Sequence, residues 1–207
     1  MLKYFWSAIA TVGVLASCYI SNASSIITTA SVIGVLFVLG VAFKNAWTNL
    51  LGAALTLIYG YLSYSAGYYA NALINVIVLF PLQLVAFWFW RKTEGKTFTL
   101  TEDWKRAIIV LSGVGILISC TLTKSYGSHL WIHDGVSAIL VIVATFLLML
   151  KVKEQWYAWI PYNALEVFMW FMAASLNPDM LAIFVMRSIF FANSLIGAYE
   201  WFGKKSA

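Results

Sequence analysis

The feature that most constrains this chain is its division into eight apolar runs, at about 4–21, 25–43, 47–64, 68–90, 107–123, 132–150, 156–174 and 179–202. Each is close to the roughly 20 residues that a helix needs to cross about 30 Å of hydrocarbon. Inside a bilayer every backbone amide must find its partner within the protein, which leaves helices or a closed barrel. A barrel needs alternating segments of about ten residues, and these are absent. Only 10% of the residues are charged and 62% are hydrophobic, where a soluble domain is roughly a quarter charged. The expected fold is an all-α polytopic membrane protein.

The charges follow the bilayer. With the N-terminus inside, the inner segments hold Lys3, Lys44, Arg91, Lys92, Lys96, Lys105, Arg106, Lys151, Lys153, Lys204 and Lys205. The outer segments hold only Lys124, and Arg187 lies within a run. This bias predicts that both termini are cytoplasmic. The net charge of +5 is therefore a topology signal, and no nucleic-acid partner is expected. Residues 1–24 have the basic start and small residues of a signal peptide, but a second span follows at once. They are read as an N-terminal hydrophobic helix. Cys18 and Cys120 sit in apolar runs and read as small buried hydrophobes, with no disulfide framework.

A polar connector, 91–106, divides the chain. Thr101 reads there as a helix cap, with Glu102 and Asp103 in the first turn. The two halves echo one another. Lys44-Asn45-Ala46-Trp47 opens one span and Lys153-Glu154-Gln155-Trp156 another. Each leads through two spans to an aromatic, basic exit, Phe87 to Lys92 and Tyr199 to Lys204. The expected arrangement is two three-helix units, 25–90 and 132–203, with a linker helix and outer loop at 107–131 and a cytoplasmic tail at 204–207. Three spans alone would invert the second unit. One linker restores its orientation, giving parallel units about an axis along the membrane normal.

Polar groups in hydrocarbon are costly and mark function. Trp156, Trp159, Asn163, Glu166 and Trp170 recur at helical spacing on one face of a single run. Such a face suits a cavity that holds a flat, polar, cationic ligand between indoles. Gln83 and Asn193 occupy matching places in the third helix of each unit, and amides suit a neutral polar ligand. The competing readings are helix–helix hydrogen bonds for the amides and interfacial anchoring for the tryptophans. Arg187 could pair with Glu166 or Asp134. His129, His133 and Asp134 resemble a metal set less than they resemble interfacial residues and a capping Asp. No phosphate-binding loop, H-E-x-x-H or G-x-S-x-G occurs. Neither cofactor nor metal is expected, and an enzyme is not. Exposed small-residue faces could support a homo-oligomer.

The W-x-x-W-x-x-x-N motif at Trp156, Trp159 and Asn163 resembles the signature of bacterial nicotinamide riboside transporters of the PnuC type. The resemblance runs over about residues 25–203, with the Asp134 segment, the Asn193-x-x-x-Gly197-x-x-x-Trp201 run and the Trp-rich exit before the connector. It implies an inner-membrane carrier working by facilitated diffusion, with a separate cytoplasmic nucleoside kinase trapping the substrate. It also implies that Trp156 and Trp159 shape the pyridinium side and Asn163 bonds the substrate, with Gln83 and Asn193 in support. Similar carriers take thiamine, riboflavin or deoxynucleosides. A membrane sensor that binds without transporting is the reading from another class.

Overall fold

The computed structural model describes residues 2–94 and 96–203, without the side chains of residues 2–4 and 203. The tail 204–207, with Lys204 and Lys205, lies outside the described residues. Among the described residues eight long helices follow one another, with a 3-10 turn at Pro178–Met180 before the last: α1 (Leu2–Ile20), α2 (Ser25–Ala42), α3 (Thr48–Ser65), α4 (Tyr69–Lys92), α5 (Glu102–Ser125), α6 (Trp131–Met149), α7 (Gln155–Leu176) and α8 (Leu181–Gly203). By length and hydropathy alone, five described helices can cross a membrane: α2, α4, α5, α6 and the Pro178–Phe202 stretch that contains α8. That is fewer than the eight runs suggested. In α3 and α7 the cause is polar residues turned inward, Asn49, Thr56, Tyr59 and Ser63 in one and Gln155, Asn163 and Glu166 in the other. They lower the mean hydropathy without meeting lipid. The described apolar part of α1, Phe5–Ile20, is simply short.

Local chemistry sets the helix ends. Thr101 Oγ1 accepts from Trp104 N at 3.5 Å and starts α5. Asn177 Oδ1 accepts from Asp179 N at 3.1 Å and opens the turn into α8. Within α4, Asn75–Leu79 widens to a π-helix just before Pro81. A proline ring collides with the carbonyl four residues back, and the wider turn moves that carbonyl aside.

Helix α2 packs on α3, α3 on α4, α4 on α6, α6 on α7, α7 on α8, and α8 returns to α2. The six form a closed ring. Helix α5 stands outside it against α6, with Ile109, Val110, Leu111 and Leu117 exposed where lipid would lie. Helix α1 stands outside against α2 and α8. The connector is exposed but fastened: Phe98 N donates to Lys151 O at 3.1 Å and Lys153 N to Phe98 O at 3.2 Å. Lys151 is buried, and its Nζ donates to Thr93 O at 3.0 Å. Burial and the nearby Lys44 pull this amine below the usual lysine range.

Candidate functional site

Trp156, Trp159, Asn163, Glu166, Trp170, Gln83 and Asn193 are all buried, and all but Glu166 and Trp170 line one two-lobed cavity inside the ring. The first lobe lies toward the end of the bundle that carries Lys44 and Lys151, with Val41, Leu148 and Trp156 on its wall. Trp156, Trp159 and Asn163 of α7 wall it with Asn193 of α8 and Val38 of α2. The second lobe is deeper and more polar. Thr56 and Tyr59 of α3, Asn75 and Gln83 of α4, Thr145 of α6, Tyr162 of α7 and Arg187 of α8 face it. Phe37, Trp159 and Phe190 line both lobes and divide them. The lobes hold about 20 and 40 Å³ of free space. That admits a few waters, so the walls must part for anything the size of a nucleoside.

The four amides are not alike. Asn163 Oδ1 and Gln83 Oε1 are buried and receive no hydrogen bond from any described residue. Asn193 is committed on both sides: its Oδ1 accepts from Trp6 Nε1 at 3.3 Å, and its Nδ2 donates to Val38 O at 3.0 Å. Asn75 Nδ2 donates along its own helix to Asn71 O at 2.8 Å.

The tryptophans also divide. Trp159 stands between the lobes, its Nε1 donating to Gln155 Oε1 at 3.3 Å. Trp156 lies at the basic end, edge-on to Trp201 with ring centroids 6.0 Å apart. Lys44 Nζ is 4.7 Å above the Trp201 ring. The three atoms nearest to a Cβ at Gly197 would all belong to the Trp156 ring, so Gly197 is the notch that lets this indole close the lobe.

Glu166 lines neither lobe. Its Oε2 accepts from Tyr59 Oη at 2.5 Å and Trp170 Nε1 at 3.1 Å, and lies 3.2 Å from Arg187 Nη2. Arg187 Nε donates to Tyr59 Oη at 2.8 Å, and the guanidinium carbon is 3.8 Å from the centre of the Tyr59 ring. Of the two partners open to Arg187, Glu166 is the one it has. Asp134 instead accepts from Ala70 N, Asn71 N and Asn71 Nδ2 at 3.2, 3.1 and 2.7 Å. It caps the start of α4 from the neighbouring helix. His133 packs on Phe168 at 4.8 Å, and no group of three or more His, Cys, Asp or Glu among the described residues could hold a metal. Sequence reasoning missed Tyr59 and Thr56; it turned Arg187 inward but did not count it among the site residues. The inward face of α3, with Thr56, Tyr59 and Ser63 at helical spacing, carried the available signal.

A closed ring of membrane helices around a cavity lined by aromatic and amide groups is the build of a small-solute carrier. The comparisons agree. The family described as nicotinamide mononucleotide transporter matches residues 24–203. A nicotinamide riboside transporter PnuC of Neisseria mucosa is 30% identical over 201 residues, 91% of this chain and 76% of that protein. Another of the same name, from Haemophilus influenzae, is 26% identical over 178 residues, 81% of this chain and 75% of that protein. The crystal structure of the vitamin B3 transporter PnuC superimposes with a TM-score of 0.85 at 27% identity, covering 97% of this chain and 90% of that one. The chain belongs to the nicotinamide mononucleotide transporter family, a family of multi-pass membrane transporters.

Proposed function

We propose that this protein carries nicotinamide riboside across the bacterial inner membrane, down its gradient, by alternating access to the two-lobed cavity. The observation that carries the reading is the pair of unmet acceptors, Asn163 Oδ1 and Gln83 Oε1, on either side of Trp159. A buried carbonyl without a donor costs about 1–3 kcal/mol, and a ligand bringing amide or hydroxyl hydrogens removes that cost. Trp159, Phe37 and Phe190 supply faces for a flat cationic ring. The polar second lobe suits the ribose. Relatives named as nicotinamide riboside transporters support the same substrate. Among the described residues Arg187 is the one charged residue on the lobes' walls, and Glu166 already neutralises it. A phosphate dianion would find no unpaired cation there, which favours the riboside over the mononucleotide.

Two parallel units, 25–90 and 132–203, rock about this cavity in our reading, with α5 as the linker. Exchanging the units turns the α2–α8 contact into the α6–α4 contact, and both exist. Lys44 and Lys151, just before α3 and α7, share a left-handed backbone with φ of 60° and 57°. Such angles are uncommon outside glycine. The basic end faces the cytoplasm by the positive-inside bias, where a nucleoside kinase would trap the product. Counterflow in proteoliposomes tests this: unlabelled nicotinamide riboside inside should drive saturable entry of labelled riboside without an ion gradient. Counterflow with thiamine, riboflavin or a deoxynucleoside but not the riboside would move the substrate. Binding without counterflow would make the protein a sensor.

A further inference from the structure

Helix α1 lies outside the segment that the family matches, 24–203, yet it touches the cavity wall. Trp6 is half-buried and donates its indole N–H to Asn193 Oδ1 at 3.3 Å. An indole N–H can only donate and the Val38 carbonyl can only accept. Only one orientation of the Asn193 amide satisfies both, with oxygen toward Trp6 and nitrogen toward Val38. Val38 takes one amide hydrogen, and the second remains for the first lobe, which Asn193 lines. On the same lobe Asn163 offers an unmet acceptor. A donor from Asn193 and an acceptor from Asn163 complement the two ends of a primary carboxamide. Without Trp6 the Asn193 oxygen loses its donor, and the Val38 carbonyl alone is left to hold the amide in the direction that presents a donor to the ligand.

We infer that Trp6 is a positioning residue for carboxamide recognition: α1, together with the Val38 carbonyl, holds the polarity of Asn193 and so favours ligands bearing a primary amide over those without one. This rests on the substrate reading above. The test uses the full-length protein as wild type, Trp6→Phe, Asn193→Leu and the double variant, with Val14→Ala as a control. Val14 is a buried α1 residue, so that variant loosens helix packing and leaves the hydrogen bond. Calorimetry would measure binding of nicotinamide riboside and of pyridine riboside, which lacks the carboxamide. Trp6→Phe should weaken nicotinamide riboside about 3- to 10-fold, the range of one hydrogen bond, and leave pyridine riboside within about 2-fold. It should add nothing in the Asn193→Leu background. Equal losses for both ligands, the pattern expected of Val14→Ala, or full additivity with Asn193→Leu, would overturn the inference. Thermal unfolding of the same four proteins without ligand should show that the two substitutions are coupled, and additivity there would overturn the contact itself. Wild-type protein that binds no nicotinamide riboside would fail the substrate reading, and the ligand-free cycle would still decide whether Trp6 holds Asn193.

Discussion

At the scale of single residues, the sequence picked out the face of α7 because helical spacing alone places Trp156, Trp159 and Asn163 together. It could not rank them. Packing decides that Asn163 keeps an unmet oxygen while Trp6 and Val38 fix the direction of the Asn193 amide and leave it one hydrogen to offer. Asn163→Ala should therefore weaken nicotinamide riboside binding by about 0.5–1.5 kcal/mol or more, one lost hydrogen bond to the ligand. Titration calorimetry on folded protein checks this, and unchanged affinity would remove Asn163 from the site. Gly197 makes a separate case. A methyl group there runs into the Trp156 ring, and overpacking of this kind costs typically about 1–3 kcal/mol. Gly197→Ala should lower the Tm, and adding Trp156→Phe should restore part of it by shrinking the ring.

Elements were legible where their signals are local. Thr101 as a cap and the fall of the eight apolar runs on eight helical segments depend on a few neighbouring residues, and both stand in the structure. The start of α4 was not legible, because its cap comes from Asp134, far along the chain and on another helix. A carboxylate holding three N–H donors out of water makes charge-assisted bonds of about 1.5–3 kcal/mol each at most. Asp134→Asn keeps the shape and removes the charge. A lower Tm in detergent, with the start of α4 exchanging its amide hydrogens faster, is the expected result. An unchanged exchange pattern at Ala70 and Asn71 would show that the cap is idle.

For the whole molecule, the ring of six helices leaves a cavity too small for a nucleoside until its walls part. A ligand that binds only the folded carrier stabilises it by mass action, about 2.7 kcal/mol at a hundred times its Kd. Nicotinamide riboside should thus raise the Tm in a concentration-dependent way, and the mononucleotide should raise it far less, because Arg187 is already paired. Equal stabilisation by both would show that the Arg187–Glu166 pair yields to phosphate. By itself the sequence determined that this chain lives in a bilayer as helices, since hydrocarbon forces each segment to satisfy its own backbone. It also determined which face of α7 turns inward, since spacing within one helix is fixed. Only the tertiary structure decided that Tyr59 and Arg187 meet Glu166, that Gln83 and Asn163 stand on opposite sides of Trp159, and that α1 reaches Asn193. These pairings join residues from different helices, and their geometry depends on how the helices pack.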